Sequence, residues 1–132
     1  MNKSKINAAN PFYNSKAFSD MIFKLLNEKN LQNNHSDVYK RAGISRANFS
    51  NYISGHNCPS PENARRLIVG LKCSLSEAEQ LLSFCGYSFS PDAPYDNCLK
   101  ECLQQKVFNY TDIELYISNK TGYNRNDSFL VA

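Results

Sequence analysis

Apolar residues recur along the chain at helical spacing, and short polar runs separate the recurrences. Phe18, Met21, Ile22, Leu25 and Leu26 follow an i, i+3, i+4, i+7, i+8 rhythm. That rhythm lines one face of a first helix ending near residues 27–30. Val38 and Ala42, one turn apart, predict a short second helix over 36–42, and Phe49 and Tyr52 anchor a third over 46–54. Ala64, Leu67, Ile68 and Leu71 predict a fourth, and Leu75, Ala78, Leu81, Leu82 and Cys85 a fifth. Tyr95, Cys98, Leu99, Cys102 and Leu103 follow in a sixth, and Ile113, Tyr116 and Ile117 in a short seventh. No stretch alternates as a strand does, so the pattern predicts an all-α fold.

The punctuation agrees with the rhythm. Ser36 and Ser45 suit the N-caps of helices two and three, because a serine oxygen accepts an otherwise unsatisfied N–H of the first turn. Gly43 and Gly55 close those helices. Pro61 and Pro94 suit first turns. Ser74-Leu75-Ser76-Glu77 reads as a capping box, and Thr111 as the cap of the seventh helix. Leu31 is a lone apolar residue in the polar link 31–35. Residues 1–14, rich in Asn and Lys, read as a flexible arm, 15–118 as one domain, and 119–132 as a loose tail. At 132 residues the chain has the length of one compact domain.

Charge adds an asymmetry. The net +3 divides as +3 over residues 1–35, +4 over 36–73 and −4 over 74–132. A basic first half suits a molecule that turns one face to a polyanion. No apolar run approaches the roughly 20 residues that cross a bilayer. The basic N-terminus has no apolar stretch behind it, so the expected location is the cytoplasm. The five cysteines are too scattered for a zinc site. Cys98 and Cys102 share a helix face and read as small buried hydrophobes. No phosphate loop, metalloprotease motif or nucleophile elbow is present. The expectation is a non-enzyme without cofactor or metal.

The informative stretch is Ser36 to Gly55. Val38, Ala42, Ile44, Phe49 and Tyr52 form its inner face. Ser45, Arg46, Ala47, Asn48, Ser50 and Asn51 are left to point outward. A helix at a steep angle to its predecessor can enter the major groove, about 12 Å wide, with its first residues at base edges. Arg46 has the fork that pairs with guanine, and Asn48 and Asn51 have the amide that pairs with adenine. Ala47 permits close approach, or touches a thymine methyl. Lys40, Arg41, Asn57, Arg65, Arg66 and Lys72 are candidate phosphate contacts, which position without specifying.

These residues carry a resemblance. Gly43-Ile44-Ser45, Phe49-Ser50, Gly55, Pro59-Ser60-Pro61 and the run Leu67 to Lys72 are followed by the run Leu75 to Leu82 and Cys85-Gly86-Tyr87-Ser88. The set resembles the lambda-repressor-like, or XRE-type, helix-turn-helix domain from about Phe18 to Tyr87. The last two runs resemble a bacterial subgroup whose five-helix core carries a short helical extension, here 94–117. The resemblance implies a DNA-binding regulator of bacterial or phage origin, commonly a dimer on a palindromic site. Tyr39 stands where such domains commonly carry a small residue. Its ring either spreads the two helices or lies along the surface.

A second use stays open on the residues alone. The acidic half, with the aromatic stretch Val107-Phe108-Asn109-Tyr110, suits a protein-interaction module, antitoxin-like or an inhibitor, docking a basic partner through residues 74–117. Double-stranded DNA, a second copy of the chain and a protein partner are therefore the expected associations; a membrane is not.

Overall fold

The computed structural model describes residues 10–122. Among them lie seven helices and no strand: α1 (Ser15–Glu28), α2 (His35–Ala42), α3 (Arg46–Ile53), α4 (Pro61–Gly70), α5 (Leu75–Phe84), α6 (Pro94–Gln104) and α7 (Tyr110–Thr121). The first five form the core expected from the apolar rhythm, and α6 and α7 form the extension. No described helix is long and apolar enough to cross a membrane.

Phe18, Ile22, Leu25 and Leu26 of α1, Leu67 and Ile68 of α4, and Leu81 and Leu82 of α5 are almost fully buried in one core. α1 packs against α3 and α5, and α4 lies between α2 and α5. Among the described helices α2 and α4 make the most extensive contact. Their backbones meet at Gly70. A Cβ there would stand 2.5 Å from the Val38 carbonyl oxygen and 2.8 Å from the Ala42 Cβ. The extension continues the core through Leu99 and Leu103 of α6 and Ile113 and Ile117 of α7.

Side-chain caps start most of these helices. Asn14, Ser45, Ser60, Ser74 and Asn109 each accept a backbone N–H of the turn they open. At α5 the box is complete: Ser74 Oγ accepts from the Glu77 N–H, and the Glu77 carboxylate accepts from the Ser74 N–H at 2.9 Å. Burial opposes charge on Glu77, but hydrogen bonds from Lys29 and Ser74 outweigh it and hold the carboxyl below its ordinary pKa. That contribution to stability is present above the ordinary carboxylate pKa. It is lost as pH falls through the lowered one. Ser74→Ala is expected to cost about 1 kcal/mol, read as a lower urea midpoint at unchanged slope.

Several boundaries differ from those read in the sequence. α2 begins at His35, one residue before Ser36, and the residue in its cap position, Asn34, makes no side-chain cap bond. The His35 ring meets Phe49 edge-on at 5.5 Å, which draws that residue into the first turn. Asn109, not Thr111, caps α7, and the helix runs on to Thr121. Lys120 steadies its last turn by bonding Glu101 of α6 and the Tyr116 hydroxyl. Leu31 is buried.

Residues 10–14, assigned to a flexible arm, pack as a strap on the end of α5. Asn10 donates to the Cys85 carbonyl at 2.8 Å, and the Asn14 N–H donates to the Phe84 carbonyl at 2.7 Å. Tyr13 is buried, its ring edge-on to Phe18. Lys3 and Lys5, and the tail beyond residue 122, lie outside the described residues. Lys16 forms an exposed pair with Asp20. Cys98 and Cys102 are buried thiols, and burial pushes Cys102 up to about 11, as expected of packing groups. Among the described residues no cluster of His, Cys, Asp and Glu is placed to hold a metal ion.

Candidate nucleic-acid interface

α2 ends at Gly43, whose φ of +70° is left-handed. Glycine enters that region at little cost. The Gly43 N–H bonds the Lys40 carbonyl at 3.2 Å, and the Ile44 N–H bonds the Tyr39 carbonyl at 3.0 Å. These bonds close the turn, and buried Ile44 tucks beneath it. Ser45 is extended, and its Oγ accepts the Asn48 N–H at 3.0 Å. That cap fixes where α3 begins. Buried Phe49 and Tyr52 then pin the helix to the core.

The opposite face of α3 is open. Ser45, Arg46, Ala47, Asn48 and Ser50 are exposed, and Asn51 is half-buried. The first turn of α3 therefore exposes a guanidinium, that of Arg46, and an amide, that of Asn48, among small neighbours. Tyr39, at the position where a small residue is common, lies over α3. Its half-buried ring leans on Phe49 with centroids 5.8 Å apart.

Sequence reasoning missed one part of this surface. A groove of about 540 Å³ runs between α3 and the start of α2. Arg46 and Ser50 line it from α3; Gln32, Asn33, His35 and Ser36 line it from the other side; Tyr39 and Phe49 contribute aromatic surface. The N-terminus of α2 thus opens beside the residues assigned to base contact, and a helix N-terminus favours anions. The signal was present: three amide residues, Gln32, Asn33 and Asn34, directly ahead of a short helix that leads into the turn.

The basic residues divide sharply. Lys40 and Asn57 are exposed. Arg65 cannot be a phosphate contact. Its side chain is 7% exposed, and Nε and Nη2 clasp the two oxygens of Asp96 at 2.8 and 3.0 Å. It also donates to the Pro61 and Ser88 carbonyls. Arg66 is likewise withdrawn. It donates to the Gly43 carbonyl and the Glu62 carboxylate, both at 2.8 Å, and stacks on the Tyr110 ring at 4.1 Å. Arg41 is half-buried, with Nε and Nη2 directed at the Gly70 carbonyl. Burial lowers its pKa against the pull of Asp37. Lys72 is exposed but follows the far end of α4, beside Lys29 and Glu77. The ten residues of α4 put it roughly 15 Å along the axis from Ser60 and the loop that holds Asn57. Of the six proposed phosphate contacts, Arg65 and Arg66 are thus turned inward, Arg41 is bound to a backbone carbonyl, and Lys72 lies at the other end of a helix.

The helix-turn-helix family model matches residues 22–89, just over half of the chain. No curated protein and no solved structure matches. The matched span starts in α1, contains α2, the turn and α3 entire, and ends just after α5. On that match, and on a turn and capped third helix of the geometry described, the chain belongs to the lambda-repressor-like, XRE-type helix-turn-helix family of DNA-binding domains.

Proposed function

We propose that the protein is a sequence-specific DNA-binding regulator whose α3 enters the major groove. Arg46 and Asn48 read base edges, with Ser45, Ala47, Ser50 and Asn51 shaping the approach. Lys40, Asn57 and the N–H groups at the start of α2 hold phosphates. The observation that carries this reading is the exposed first turn of α3, capped by Ser45 and backed by buried Phe49 and Tyr52. Arg46 is the one cation on α3. Affinity therefore depends on flanking phosphate contacts, and on a second copy of the chain bound to a palindromic site. Binding weakens steeply with salt, because each phosphate contact releases counterions.

Arg46→Ala and Asn48→Ala test the assignment. Each removes one two-bond base contact and is expected to cost about 1–3 kcal/mol of discrimination at one base position, with thermal stability unchanged. Competition between the preferred duplex and single-base variants reads the loss. Unchanged preference in both variants would remove α3 as the reader.

Docking of a protein on the acidic half is the weaker reading. Asp96 is enclosed by Arg65, Glu77 is held by Lys29, and Glu101 bonds Tyr116 and Lys120. Those carboxylates already serve the fold.

A further inference from the structure

The extension reaches the helix-turn-helix at the turn that aims α3. Asn109 caps α7 by accepting the Asp112 N–H, which fixes Tyr110 at the head of the helix. The Tyr110 ring covers Gly43 so closely that a Cβ there would stand 3.1 Å from its Cδ2. Arg66 completes the contact. Its guanidinium lies 4.1 Å from the Tyr110 ring centroid while Nη1 donates to the Gly43 carbonyl. Glu62 holds the other end of the fork. A chain of contacts thus runs from α7 through α4 to the turn, two residues before the cap of α3.

We propose that Tyr110 and Arg66 are positioning residues for DNA binding: they hold the turn at 43–45, fix the angle of α3, and so couple the extension to DNA affinity. The proposal rests on the role given above to α3. Tyr110 is buried and the Arg66 side chain is 12% exposed, so both act through the turn. An eight-residue helix has little stability of its own, and its direction is set by what holds its ends. Small displacements at the turn grow along the roughly 12 Å of α3. Base contacts fail when displaced by about an ångström.

The test uses the full chain with Tyr110→Ala, Tyr110→Phe and Arg66→Met, and Ile117→Val as a control in the same helix. Two quantities are read: amide exchange at Gly43 and Ile44 without DNA, and affinity for the duplex that the wild-type chain enriches, against salt. Tyr110→Ala and Arg66→Met are expected to speed exchange at both amides and weaken binding roughly tenfold, with the salt slope unchanged. Tyr110→Phe keeps the ring over Gly43 and loses the hydroxyl contact to Glu114, so it is expected to hold affinity for DNA near that of wild type at some cost in stability, and Ile117→Val leaves affinity intact. Should Tyr110→Ala fail to fold, Arg66→Met carries the test.

Unchanged exchange and affinity would overturn the proposal. So would an equal loss of affinity in Ile117→Val, which marks a general effect of stability. A salt slope flatter by about 0.9 in Arg66→Met would overturn it too, making Arg66 a phosphate contact. A wild-type chain that binds no duplex removes the reading of α3, and the coupling falls with it. Faster exchange at Gly43 and Ile44 in the variants would then show only a structural clamp.

Discussion

Asp96→Ala is expected to destabilise the protein by about 3–5 kcal/mol. The Arg65 guanidinium would be left in the interior without its carboxylate, and the Ser90 N–H would lose its acceptor, now at 2.7 Å. The cost lies in the orphaned charge more than in the lost attraction. Replacing both partners, Arg65→Met with Asp96→Leu, is therefore expected to cost far less than Asp96→Ala alone. Urea unfolding of the two variants reads the difference. Equal losses would mean that the pair is solvated in solution. The pair joins the first turn of α4, the loop at 88–90 and the first turn of α6, so it fastens the extension to the core. It is also why a residue with the charge to hold a phosphate does not do so.

Gly70→Ala is expected to cost about 3 kcal/mol, the upper end of the usual range for overpacking. The atoms that a new Cβ would meet are the Val38 carbonyl oxygen and the Ala42 Cβ. Neither can rotate away, so α2 must move off α4. The Arg41 bonds to the Gly70 carbonyl would be disturbed with it. For a domain of this size the loss amounts to roughly 10–15 °C of melting temperature. A shift within two degrees would show that the helices separate at little cost. Because α2 leads into the turn, the same variant is expected to weaken DNA binding beyond what its lower stability accounts for.

The helices were legible because each is specified locally. The apolar rhythm named the inner faces of α1, α4, α5 and α6, and Ser45 and Ser74 with Glu77 named two of the caps. The turn was legible for the same reason: Gly43, Ile44 and Ser45 carry a backbone requirement and a packing requirement within three residues. The strap at 10–14 was not, because Tyr13 looks like any aromatic in a polar segment until the end of α5 is placed beside it. Leu31 was hidden likewise by its polar neighbours.

The candidate site divides along the same line. The outward residues of α3 follow from which of its residues face in. The fate of the arginines does not. Arg65 and Asp96 are 31 positions apart, and nothing local distinguishes an arginine that meets a carboxylate from one that meets a phosphate. The groove beside α2 was overlooked because it is made by two segments, neither of which has an unusual composition.

Selection of the purified protein on a pool of random duplex DNA, at low and at moderate salt, tests the central claim most directly. The account predicts enrichment of a defined motif, lost or broadened at one position by Arg46→Ala, with a palindrome if two copies bind together. Binding without any enriched sequence, or no binding at either salt, would contradict it.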